Sequence, residues 1–155
     1  MPHLSLQSPI GALTVFEDDG AIVSLDWGTV PDGPAPGGGE TGLLRAARDQ
    51  LAAYFRRELE IFDLPLAPPG SEFQRAVCRA MSGIPYGALR TYGDIAAAIG
   101  SAPRAVGGAC GRNPIPVIIP CHRVVGANGA MTGYSGAGGL ETKRALLHLE
   151  GVTLH

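Results

Sequence analysis

The sequence predicts a protein of mixed α/β class, of the α+β kind, with a small β-rich N-terminal part and a mostly helical C-terminal part. Three observations carry this. Apolar residues alternate over residues 1–27, helical spacing takes over after them, and a proline-rich stretch from Pro65 to Gly70 separates the two regions. Strands gathered first and helices afterwards fit an α+β chain better than an alternating parallel one.

In the N-terminal part, Leu4 and Leu6, Leu13 and Val15, then Ile22, Val23 and Leu25 supply the apolar positions of an antiparallel sheet. Ser8-Pro9 and Asp18-Asp19-Gly20 are its turns. Residues 28–39 hold three prolines and five glycines and read as a surface loop. Leu43, Leu44, Ala47, Leu51 and Tyr54 or Phe55 then recur at helical spacing over residues 41–57. Ile61-Phe62-Asp63-Leu64 reads as extended. The boundary in the proline-rich stretch gives domains 1–66 and 67–155.

The second half is more regular. Ser71 opens a helix with Gln74 three residues on, a capping-box pattern, and Phe73, Val77, Ala80 and Met81 form its apolar face. Ile84-Pro85-Tyr86-Gly87 breaks the chain. Thr91 caps a short helix, 92–99, with Asp94 at its third position. Gly100-Ser101-Ala102 turns, and Pro103 suits the first position of a helix running to Gly111. Two short helices joined by a tight, glycine-containing turn make a helix-turn-helix. Val117-Ile118-Ile119, bounded by Pro114, Pro116 and Pro120, predicts a buried edge or isolated strand that delivers Cys121 to a loop. Asn128-Gly129 signals a hairpin, and residues 131–139 are glycine-rich. A last helix spans 140–150, with Leu146, Leu147 and Leu149 buried and Gly151 as C-cap.

Composition narrows the function classes. With 155 residues, 45% hydrophobic and 17% charged, the chain is foldable and globular. It has no apolar run of membrane-spanning length and no signal-peptide pattern at Met1-Pro2-His3-Leu4. Three cysteines, an odd number, point to free thiols in a reducing compartment, so a cytoplasmic location is expected. No two of them have metal-ligand spacing, and neither a metal nor a cofactor is expected. A net charge of −2 exerts no general pull on nucleic acid, so DNA binding would need a local basic patch.

Each candidate residue has an ordinary reading beside its chemical one. Cys121 next to His122 on a stiff mount suits a thiolate nucleophile, yet most free cysteines are small core residues. Neighbouring side chains in an extended segment point to opposite faces, so a turn or a water must connect the two. Glu150 is acidic at a helix C-terminus, the wrong end for the dipole; it is either solvated or held by a buried partner such as an imidazole. Arg104 at a helix start is also dipole-unfavoured, as an arginine reaching for phosphate or base would be. Cys78 and Cys110 read as core, and Tyr92 on its own reads as packing.

Taken together, these motifs resemble the O6-alkylguanine-DNA alkyltransferases, the methylated-DNA–protein-cysteine methyltransferases. The likeness covers essentially the whole chain and is dense from Phe73-Gln74 onward. It runs through Ile84-Pro85-Tyr86-Gly87, Arg104-Ala105-Val106-Gly107, Asn113-Pro114, Pro120-Cys121-His122-Arg123-Val124-Val125 and Gly133-Tyr134-Ser135 to Glu150-Gly151. Pro-Cys-His-Arg, with asparagine eight residues before the cysteine, is its most specific part.

The resemblance implies a ribonuclease-H-like N-terminal domain and a winged-helix-like C-terminal domain with the helix-turn-helix. It implies a monomer, without cofactor or membrane, acting on double-stranded DNA that contains O6-alkylguanine. One alkyl group passes irreversibly from guanine O6 to Cys121. His122 takes the thiol proton through a water, Glu150 orients the imidazole, Tyr92 protonates the leaving base and Asn113 holds the turns of the site. Ser135, Tyr134 and Val124 belong to the base pocket. Arg104 is the finger that fills the stack when the base flips, and Thr91, Ala105, Gly107, Gly108 and Arg112 complete the DNA surface. Two rivals stand beside this reading. A non-catalytic alkylguanine-lesion-binding protein is disfavoured by Cys121, which such relatives lack. A cysteine hydrolase or redox sensor is disfavoured by the helix-turn-helix and Arg104.

Overall fold

The computed structural model describes residues 1–29, 41–131 and 139–152, and the chain divides into two compact units, Met1–Pro69 and Gly70–His155. Most of the predicted 28–39 loop lies outside the described residues, as do residues 132–138 of the glycine-rich segment.

In the first unit, β1 (His3–Ser8), β2 (Gly11–Asp18) and β3 (Ala21–Trp27) form an antiparallel sheet in sequence order. The register sets Leu4 opposite Val15 and Val15 opposite Leu25, so one apolar row crosses the sheet. Helix α1 (Gly42–Phe55) covers that row with Leu44, Ala47, Leu51 and Tyr54, all fully buried. Its N-cap Thr41 accepts from the Leu44 amide at 3.1 Å and donates to Glu17 at 3.2 Å, which ties the helix start to β2. Ile61–Leu64 forms no regular strand. Gln50 takes the place of a ladder there, bonding both the amide (2.8 Å) and the carbonyl (3.0 Å) of Asp63. The chain pairs only at Leu66, beside Ile22.

The second unit contains α2 (Glu72–Ser82), β4 (Arg90–Thr91), α3 (Tyr92–Ile99), α4 (Pro103–Gly111), β5 (Val124–Val125) and α5 (Leu140–Leu149). Thr91 and Asp94 form a complete capping box, with bonds of 3.0 and 2.8 Å. Gly100 ends α3 in the left-handed region (φ 70°), and Pro103 opens α4 at its first turn. The expected helix-turn-helix is present. The capping box expected at Ser71 is only half formed. Ser71 accepts from the Gln74 amide, but the Gln74 side chain is buried and donates instead to the Ala109 carbonyl at 2.8 Å. That bond joins α2 to α4, and it rotates the buried face of α2 toward Gln74, Val77, Cys78 and Met81 rather than Phe73 and Ala80.

The expected strand at Val117–Ile119 is a correction. These residues are buried, but they form a tight turn in which Val117 has φ 73° and the Ile119 amide bonds the Ile115 carbonyl at 2.9 Å. Prolines at 114, 116 and 120 leave too few amides for a ladder. A β-branched residue with positive φ is strained, and persists only where its surroundings fix it. Asn113 supplies that fixing. Its side chain accepts from the Ile115 amide at 3.0 Å and donates to the Ile119 carbonyl at 2.8 Å. Asn128-Gly129 does make a tight turn, both residues having positive φ, while the returning arm of any hairpin lies beyond the described residues.

Candidate active site

The Asn113-clamped turn hands the chain to Pro120 and then to a single 3-10 turn, Cys121–Arg123. This turn, rather than an extended segment, sets the directions of the two critical side chains. Both are buried, His122 completely. The short parallel pairing of β4 with β5 sets Thr91 opposite Val125. It brings the start of α3, and therefore Tyr92, beside the residues that follow the turn. Helix α5 closes the far side and ends at Glu150.

Glu150 is the centre of a buried polar cluster. One oxygen accepts from His122 Nε2 at 2.7 Å and from Arg123 Nη2 at 2.9 Å. The other accepts from Arg123 Nε at 2.9 Å and from the Gly87 amide at 3.2 Å. The remaining Arg123 terminus donates to the Ile84 carbonyl at 2.7 Å, and the guanidinium lies 5.7 Å from the centre of the Tyr86 ring. The Ile84-Pro85-Tyr86-Gly87 break therefore wraps the cluster, with Gly87 at φ 77°. An acid at the wrong end of a helix dipole is explained by four donors, a bidentate guanidinium among them.

This arrangement fixes the histidine tautomer. A carboxylate that is already neutralised by arginine only accepts, so Nε2 carries the hydrogen and Nδ1 presents a lone pair. Burial lowers the affinity of the imidazole for a second proton, against the pull of Glu150. Nδ1 is fully buried and bonds no atom among the described residues. Such an atom is costly without a partner, and a bridging water is the ordinary remedy.

Burial also governs the thiols. It pushes Cys121 up to about 11, outweighing a hydrogen bond from Asn113 and the charge of Lys143. It pushes Cys110 up to about 12 and raises Cys78. The resting pair is therefore a neutral thiol and a neutral imidazole. A consequence for stability follows. The folded chain holds these thiol protons to higher pH than the unfolded chain, whose thiols titrate near ~8.5. Above that pH the unfolded state binds fewer protons, so stability falls as pH rises toward about 12. Thermal unfolding followed from pH 8 to 11 should show the decline, with a shallower slope in Cys121→Ser.

The other expected residues fall into place around this core. Tyr92 is half-buried at the start of α3, and its ring edge lies 4.0 Å from where a Cβ on Gly107 of α4 would stand. Val124 is buried, and its carbonyl accepts from Lys143 at 2.6 Å. Arg104, Ala105, Gly108 and Arg112 are exposed on α4 and at its end, with Gly107 and Thr91 half-buried. Tyr134 and Ser135 lie outside the described residues. Arg123, Lys143 and Tyr86 are parts of the site that carried no assigned role in the sequence. The misplaced charge of Glu150 was the signal for Arg123. Nothing in the helical pattern of α5 marked Lys143 as buried.

Residues 72–152 match the family described as 6-O-methylguanine DNA methyltransferase, DNA binding domain, and residues 3–68 match its ribonuclease-like domain. The chain belongs to the 6-O-methylguanine DNA methyltransferase family. The methylated-DNA–protein-cysteine methyltransferase of Methanosarcina acetivorans is 46% identical, over 97% of this chain and 99% of that protein. The protein of the same name from Mycolicibacterium paratuberculosis is 47% identical, over 96% and 91%. Among solved structures, Mycobacterium tuberculosis OGT in complex with DNA superimposes with a TM-score of 0.85 at 45% identity, over 97% of this chain and 92% of that one. The mixed α/β class is the family's, with the small antiparallel sheet in its ribonuclease-like part and the helix-turn-helix in its DNA-binding part. Cys121, His122, Glu150 and every other residue of the cluster lie inside the DNA-binding match.

Proposed function

We infer that this chain repairs DNA by moving an alkyl group from guanine O6 directly and irreversibly to Cys121. The observation that carries the reading is the buried Cys121 thiol on the same turn as a His122–Glu150 pair whose free nitrogen is a lone pair. The thiol proton passes through a water to His122 Nδ1, and Glu150 steadies the imidazolium. The sulfur attacks the alkyl carbon as the carbon–oxygen bond breaks, giving a thioether while negative charge develops on guanine. Tyr92 donates its phenolic proton to the base as that charge develops, so the leaving group departs neutral; the imidazolium then gives up its proton and the tyrosinate regains one, through water, which restores both side chains. Because thiol and imidazole both start neutral, proton transfer accompanies attack instead of preceding it. No group in the site cleaves a thioether, so each molecule acts once.

The pocket and the DNA surface follow the same reading. Asn113 holds the turn that presents the thiol. The Val124 carbonyl has a second lone pair beyond the one used by Lys143, and it accepts from the exocyclic amine of the base. Ser135 meets the lesion oxygen and Tyr134 lines the pocket. Arg104, exposed at the second position of α4, occupies the stack vacated by the flipped base. The small residues Ala105, Gly107 and Gly108 let α4 approach the groove, with Arg112 and Thr91 at its margins. The protein acts as a cytoplasmic monomer on double-stranded DNA. None of its helices among the described residues is long and apolar enough to cross a membrane.

The experiment is repair of a duplex carrying one O6-methylguanine, with restored guanine counted against protein. Restoration that stops at one guanine per chain is expected; continued turnover, or none, would overturn the proposal. Arg104→Ala should slow duplex repair strongly and reaction with free O6-benzylguanine little, since flipping costs a few kcal/mol only when a base is stacked. Equal loss on both substrates would assign Arg104 to the fold or the pocket.

A further inference from the structure

Phe73-Gln74 belongs to the dense part of the family likeness, yet no step of the transfer uses either residue. Gln74 is buried, and its side chain leaves the capping box of α2 half formed and reaches another helix instead. Its Nε2 donates to the Ala109 carbonyl at 2.8 Å, in the last turn of α4, where helix carbonyls lack partners of their own. One residue on, Cys110 Sγ meets Met81 Sδ of α2 at 3.5 Å, and the Cys110 carbonyl accepts from the Asn113 amide at 3.2 Å. The end of α4 is therefore fixed between α2 and the clamp that presents the thiol. At its other end the N-cap, Ala102, supplies no side-chain bond. Gly70 leaves room for the arrangement. A Cβ there would stand 3.1 Å from Gln74 Cγ and 3.2 Å from its Cβ, and its φ of 128° disfavours any side chain. A leucine or methionine at position 74 would fill the same space without burying an amide.

We propose that Gln74 is a positioning residue for base flipping: its bond to Ala109 sets the direction of α4, and so the place of Arg104 relative to Cys121. Arg104 lies five residues before Ala109 on the same helix, about 7.5 Å along its axis, so a small tilt at the held end displaces the finger. Without Gln74, the Ala109 carbonyl keeps the Arg112 amide at 3.1 Å but loses its tie to α2. The thiol turn depends instead on the Asn113 side chain, which bonds Ile115 and Ile119. The catalytic consequence rests on the alkyl-transfer reading above.

Gln74→Leu removes the donor and keeps the bulk of the side chain. At saturating duplex, well below the melting temperature, it should slow repair of O6-methylguanine about tenfold, since misplacement by an ångström can cost roughly 10²-fold. Its rate with free O6-benzylguanine should stay within about twofold of wild type, because the thiol turn is untouched. A role in stability alone would lower the melting temperature and leave both rates in place. That result would overturn the proposal, as would equal loss on both substrates. Gln74→Asn, one methylene short of the carbonyl, should show the same asymmetry and replaces the leucine variant if that chain does not fold. A 2-aminopurine beside the lesion, which brightens as it unstacks, reads flipping without any transfer. Its signal should fall in the variant relative to wild type. If wild type gives the signal but restores no guanine, the alkyl-transfer reading falls and the signal alone decides this inference. No signal from wild type would overturn both.

Discussion

Cys121→Ser is expected to abolish alkyl transfer while leaving the fold and duplex binding intact. The substitution exchanges one small buried atom for another, and the Asn113 clamp that shapes the turn is untouched. A serine hydroxyl is a far poorer nucleophile than a thiolate, and a neutral imidazole cannot ionise it for attack on a saturated carbon. Loss should exceed the roughly 10²–10⁴-fold that removal of a general base alone contributes. The readouts are transfer of labelled methyl from an O6-methylguanine duplex and retention of that duplex in a binding assay. Residual transfer would point to another acceptor, and Cys110 is the first suspect.

Arg123→Met is expected to give the largest loss of stability. Arg123 and Glu150 are both buried, and the guanidinium provides two of the four bonds to the carboxylate. Removing one partner of such a pair strands the other charge and costs roughly 3–5 kcal/mol. The strain should be relieved by protonation of Glu150, so the variant should recover part of its stability at lower pH. A double-mutant cycle with Glu150→Gln is the check, and the two losses should be strongly non-additive. Additive losses would mean that the bidentate contact carries little energy. Activity should fall as well, since His122 shares an oxygen of Glu150 with Arg123.

Local chemistry made much of this fold legible in the sequence. The Thr91–Asp94 capping box, the glycine that ends α3 and the proline that opens α4 are decided within a few residues, and all three appear as read. Legibility ended where a side chain meets a distant partner. Gln74 satisfies a local capping pattern on paper, but its amide bonds Ala109, thirty-five residues away. Val117 has strand propensity, yet Asn113 forces it to positive φ in a turn. Glu150 advertised a buried partner by its position, and the sequence offered an imidazole but not the arginine beside it. Lys143 gave no sign, because its burial depends on a carbonyl nineteen residues earlier.

The central claim is that one alkyl group ends on one sulfur. Intact mass of the protein after mixing with excess O6-methylguanine duplex, followed by fragment mapping, tests it most directly. The predicted result is a gain of a single methyl per chain, located on the fragment ion that contains Cys121, with Cys78 and Cys110 unmodified. An unchanged mass alongside tight binding to the damaged duplex, or a methyl found on any other residue, would contradict it.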